Sequence, residues 1–243
     1  MRTLTGLVLT LSLSLFCTLI QAQATTDGVY NITGEAYRIE QPDRLVYREK
    51  YTPVLDGKGL GIVDYFDPNG GLIATKTLDY RPGASRPDFT MYDLRRNWFW
   101  SVQARKGQLL LSKGPPGDLE RRAIDRQKPQ VVDAGFDAYI RKHLDQLQSG
   151  AQLSFYNAVP ARLNNYRLRA ESITYSQSPI SRGKPEWRYV KVRVANPLMA
   201  FFADALHLAY AADTGRLKVF RGRTNLPDAD GKPQDVEIYY HYH

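Results

Sequence analysis

Short runs of alternating apolar and polar residues fill most of the chain, beginning after residue 28. "VYNITGEAYRI" and "LVYREKYTPV" both have the period-2 pattern of a half-buried strand, and "QPDR" between them reads as a hairpin turn. "DGKG" at 56–59 is a further turn, followed by "LGIVDYFD". "PNGG" at 68–71 is the strongest turn signal, because Asn-Gly takes up positive φ at low cost, and "LIATKTLDY" returns from it. "FTMYDLRRNWFWSVQAR" reads as two strands about a polar turn, with "QLLLSK" following Lys106 and Gly107. Alternation resumes after residue 150 in "AQLSFYNAV", "NNYRLRAESITYS" and "WRYVKVRVA". The chain closes with "HLAYAAD", "RLKVFRGR" and "DVEIYYHY" around Thr-Gly and Asp-Gly turns. Strands this closely spaced predict an antiparallel meander.

One segment has a different period. In "VDAGFDAYIRKHLDQLQSG" the residues Phe136, Tyr139, Ile140, His143, Leu144 and Leu147 fall on one face of a 3.6-residue repeat. Asp137, Arg141, Lys142, Asp145 and Gln148 take the other side. This predicts an amphipathic helix over 134–149, with Asp133 as N-cap and Gly150 as its stop. Pro197 opens a second, shorter helical candidate over 197–205. A wide meander twists and curls, and its hollow face must be covered. The predicted class is therefore mainly β (α+β): a strongly curved antiparallel sheet, or open barrel, with one amphipathic helix across its concave face.

Composition adds a compartment. Residues 1–24 carry one cation (Arg2), an apolar run from Leu4 to Ile20, and Ala22-Gln23-Ala24 in the small-x-small order of a cleavage site. That is the layout of a secretory signal, leaving 25–243 as a single β-rich domain exported to the periplasm. Cys17 is the single cysteine and would leave with the signal; Phe16 before it is too large for a lipidation site. The mature chain would then contain no disulfide, thiol nucleophile or cysteine-based metal site. No later run is apolar and long enough to span a membrane, so an integral membrane protein is not expected. The formal charge is +8, but cations and carboxylates are interleaved, which suits solubility better than nucleic-acid binding.

Candidate chemistry is sparse. The chain has no G-x-S-x-G, no H-E-x-x-H and no glycine-rich phosphate loop. Its four histidines are too few for a His-built centre. "DADG" lacks the acidic residue that a calcium loop needs at Leu226 and reads as a hairpin turn. No catalytic residue, metal or cofactor is therefore expected, and the chain is not expected to be an enzyme. In "WFW", Trp98 and Trp100 share a strand face and can line a pocket or pack a core. If the helix roofs a cavity, the expected ligand-binding residues are Trp98, Trp100, Phe136, Tyr139, Ile140, Leu144 and Phe155.

"GEAYRIEQPDRLVYREKY", the helical segment and the closing "TGRLKVFRGRTNLPDADGKPQDVEIYYHY" resemble uncharacterised proteobacterial envelope proteins. The whole outline is similar to open β-barrels of the periplasmic lipoprotein-carrier type and, more loosely, to lipocalins. The resemblance implies an architecture and a compartment but no functional residue. The expected partner is an apolar small molecule or lipid held under the helix. An envelope scaffold with a filled core that binds a protein is the alternative, and an enzyme using dispersed carboxylates is a third. A cavity separates the first from the second.

Overall fold

The computed structural model describes residues 30–52, 59–196 and 204–243. The expected signal at 1–24 and most of the helical candidate at 197–205 lie outside them; Asp204 and Ala205 are not helical. Eight strands come first: β1 (Ile32–Arg38), β2 (Gln41–Tyr51), β3 (Leu60–Phe66), β4 (Leu72–Asp79), β5 (Asp88–Asp93), β6 (Trp98–Arg105), β7 (Gln108–Gly114) and β8 (Glu120–Asp125). The short β9 (Gln130–Val132) leads into helices α1 (Gly135–Lys142) and α2 (Leu144–Gln148). Six strands finish the chain: β10 (Leu153–Val159), β11 (Asn164–Ile173), β12 (Arg188–Val194), β13 (Leu206–Tyr210), β14 (Leu217–Arg223) and β15 (Asp235–Tyr242).

The fifteen strands of the described residues belong to one sheet, in the order β8-β7-β6-β5-β4-β3-β2-β1-β15-β14-β13-β12-β11-β10-β9. Two antiparallel meanders, β1–β8 and β10–β15, thus meet where the first strand pairs with the last, Ile32 opposite Tyr242 and Arg38 opposite Val236, and β9 adds a short parallel strand beside β10. The free edges, β8 and β9, are consecutive in the chain, so the sheet curls until they approach without closing into a barrel. Side-chain amides span the gap. Gln130 accepts from the Gln127 N–H at 3.1 Å and donates to Tyr156 O and Asn165 Oδ1, while Asn165 donates to Asp125 O at 3.4 Å.

The alternation read from the sequence has a structural cause: one sheet face lines the interior. In β2 and β3 the inward positions are Tyr47, Glu49, Val63 and Tyr65, all buried. Two apolar cores fill much of that interior. One is built on the first meander around Leu78, Met91, Trp100, Val102 and Leu111, and it also takes Ala158 and Leu163 from the tip of the β10–β11 hairpin. The other joins Ile140, Leu144 and Leu147 of the helices to Phe155, Leu168, Val190, Val192 and Leu208 of the second meander. Full burial of each such side chain contributes about 1.5–3 kcal/mol. The helices therefore cover the inner face of the second meander, as the apolar stripe implies. A small outer cluster of Ile180, Tyr189, Ala209 and Val219 also forms, where the loop after β11 packs against the outside.

Several local expectations are corrected. "QPDR" is not a turn: it opens β2, and the hairpin bends at Ile39 and Glu40. The register of β1 against β2 slips twice there, which places extra residues in the strand. The single helix over 134–149 is broken at His143, whose ring Nδ1 lies 2.8 Å from the Tyr139 carbonyl. Gly150 does stop the helical segment, at φ +91°. Asp133 does not cap α1; its carboxylate turns inward to Lys76 and Asn225. The start of α1 is fixed by close approach instead. A Cβ on Gly135 would sit 2.2 Å from the Ser85 carbonyl oxygen, which accepts the Val132 N–H at 3.1 Å.

Candidate functional site: an interior cavity with buried charges

Between the two cores the described residues do not fill the interior. A cavity of about 560 Å³ remains, walled by inward residues of β1–β4 and β10–β15 and by the first two turns of α1. Most of this wall is apolar, from Ile32, Val63, Phe136, Leu168, Val192, Val194, Leu206, Leu208, Leu217 and Ile238. The volume lies within the range of small-molecule sites, which are mostly apolar with a few placed polar groups.

Those polar groups are concentrated around Glu49, Lys76 and Asp133. Each stands where an alternating strand, or the entry to α1, turns a side chain inward. Lys76 lies in phase with buried Ala74 and Leu78, and Glu49 in phase with Tyr47 and Tyr51. The Lys76 Nζ donates to Asp133 Oδ1 at 2.8 Å, in a pair whose side chains are 7% and 2% exposed. Its ammonium also lies 5.6 Å from the centre of the Tyr65 ring. Asn225 donates to the second Asp133 oxygen at 2.7 Å. Burial alone would lower the Lys76 pKa, but the Asp133 carboxylate outweighs it and holds the ammonium above its ordinary value.

Glu49 differs. It accepts hydrogen bonds from Tyr51 at 2.5 Å and Tyr240 at 3.5 Å, and burial raises its carboxyl above the usual range despite those donors and nearby Lys76. Tyr51, Tyr65 and Tyr240 are held well above their ordinary pKa, first by burial and then by Glu49, so they stay protonated and available as donors. Tyr80 on the same wall is pushed up to about 12, mainly by burial. On α1, Asp137 faces Arg141 at 3.9 Å; burial raises the Asp137 carboxyl against the opposing pull of Arg141 and of the Tyr210 hydroxyl.

Of the residues expected to bind a ligand, Phe136 lies on the cavity wall. Tyr139, Ile140, Leu144 and Phe155 do not line it, because the helix packs directly against the strands beneath. The Tyr139 and Phe155 rings are 4.9 Å apart, and Phe136 and Phe155 5.8 Å. Trp98 and Trp100 also lie away from it, packed on the first core with the Arg96 guanidinium 5.3 and 5.9 Å from their rings. Glu49 and Lys76 are not among the residues expected from the sequence, and Asp133 is expected there only as an N-cap. A charged residue in phase with buried neighbours was the available signal for the first two. Among the described residues, no group of three His, Cys, Asp or Glu is placed to hold a metal, and no helix is long and apolar enough to cross a membrane.

The fold is similar to that of a β-barrel-like protein of a domain of unknown function (DUF1849) from Brucella abortus. The TM-score is 0.50 at 6% identity, over 88% of this chain and 98% of that one. At such identity the likeness is one of fold alone, and it supports a barrel-like class without singling out lipoprotein carriers or lipocalins. No protein-family model and no curated protein matches the chain.

Proposed function

We propose that the protein is an exported, non-enzymatic binding protein that holds an apolar small molecule or lipid inside its curled sheet. The observation that carries this reading is the largely apolar cavity of about 560 Å³ at the junction of the two meanders. The scaffold alternative expects a filled interior, which the cavity disfavours. The signal-like residues 1–24 support periplasmic export. The buried charges are mostly engaged with one another: Lys76 is neutralised by Asp133, and no histidine lines the cavity. That arrangement suits a binding wall better than acid–base turnover. Native mass spectrometry of protein purified from a Gram-negative periplasm tests the reading. An apolar adduct, or uptake of the neutral probe N-phenyl-1-naphthylamine, is expected. Failure of both would overturn it.

A further inference from the structure

The polar atoms of the cavity wall are not evenly used. The cations there have carboxylates of their own: Lys76 with Asp133 at 2.8 Å, Arg141 with Asp137 at 3.9 Å, Arg193 with Glu171 at 3.7 Å and Arg223 with Asp235 at 2.7 Å. Glu49, 4% exposed, has no cation within ion-pair distance among the described residues, where its side-chain donors are the hydroxyls of Tyr51 and Tyr240. On the same wall Asn157 Oδ1 is buried without a hydrogen-bond partner, and Asp137 Oδ1 has only the Tyr210 hydroxyl beside it. Buried polar atoms in native interiors are nearly always paired, so unpaired ones in a cavity mark where a bound molecule completes the bonding. The spare polar capacity of this wall is for accepting hydrogen bonds.

We infer that the cavity selects an apolar molecule with a cationic, hydrogen-bond-donating head, such as a primary amine, over one with an acidic head. This rests on the binding reading above. A carboxylate head would meet buried acceptors and Glu49, whereas an ammonium would supply the missing donors and a cation in direct contact with Glu49.

Matched twelve-carbon ligands separate the two claims. Dodecylamine, dodecanol and dodecanoate, each below its micellar concentration, are titrated calorimetrically into the purified protein at neutral pH. The amine should bind about tenfold or more tighter than the carboxylate, as one charge-assisted hydrogen bond gives, with the alcohol between. Glu49→Gln should shrink that preference while leaving the thermal midpoint unchanged or raised, since it removes a buried charge without a cation. Dodecanoate binding as tightly as the amine would overturn the head-group inference and leave the cavity reading standing. So would an undiminished preference in both Glu49→Gln and Asp137→Asn. If none of the three binds, the binding reading itself falls, and this inference with it.

Discussion

Breaking the Lys76–Asp133 pair should be among the most damaging single changes in the molecule. Lys76→Met keeps the aliphatic stem and removes the charge. It leaves a carboxylate that is 2% exposed and held, among the described residues, by the Asn225 amide and the Ala134 N–H. Removing one partner of a buried ion pair costs about 3–5 kcal/mol, because the other charge stays buried and uncompensated. In a domain of this size each kcal/mol lowers the melting point by about 2–4 °C, so a fall of roughly 6–20 °C is expected. The double variant Lys76→Met/Asp133→Asn removes both charges and should be more stable than Lys76→Met alone. Urea unfolding of wild type, both singles and the double, followed by tryptophan emission and far-ultraviolet dichroism, closes the cycle. A Lys76→Met loss under about 1 kcal/mol, or single-variant costs that simply add in the double, would refute the pairing argument.

Three further outcomes follow from the packing and charges. Leu144→Asp, at a position 3% exposed, should destabilise by several kcal/mol, whereas Lys142→Asp on the exposed side should change stability by about 0.5 kcal/mol or less; equal melting points would show the helix faces the other way. Gly135→Ala should lower the melting point sharply although alanine favours helices, because its methyl would collide with the Ser85 carbonyl; an unchanged or raised midpoint would contradict that contact. His207 is held neutral by burial, with Lys191 and Arg221 opposite it on the flanking strands, and its pKa falls from 6.5 to about 4. The unfolded chain therefore takes up the proton first as pH falls. Stability should be lost between pH 6.5 and about 4, with no contribution from this group above that window, and His207→Gln should flatten the slope in pH-dependent urea melts.

Period-2 runs made most of the sheet legible because one face of nearly every strand packs inside. β8 escaped because it is an edge strand with no buried side chain: Glu120–Asp125 shows no alternation, and its charges suit an edge left unpaired. β9 escaped for the opposite reason, since its three residues are buried throughout and give no period at all. The helix was legible from its stripe, but the break at His143 was not, because a local carbonyl contact sets it. The cavity was the least readable feature. Its polar wall joins Glu49 of β2, Lys76 of β4, Asp133 of the turn before α1 and Tyr240 of β15, which only the first-to-last strand pairing and the curl of the sheet bring together. The tryptophans attracted attention by their rarity, yet their size fitted them to fill the first core.

The central claim is that a molecule is held in the space between the two meanders. Val194, half-buried on the cavity wall near the end of β12, offers a way to fill that space from one side. N-phenyl-1-naphthylamine titrated into wild type and Val194→Trp, with folding of both confirmed by thermal melts, measures whether the cavity is the site. Saturable fluorescence gain in the wild type that is lost or strongly weakened in folded Val194→Trp is the predicted result. No saturable binding in the wild type, or equal binding in the two proteins, would contradict the account.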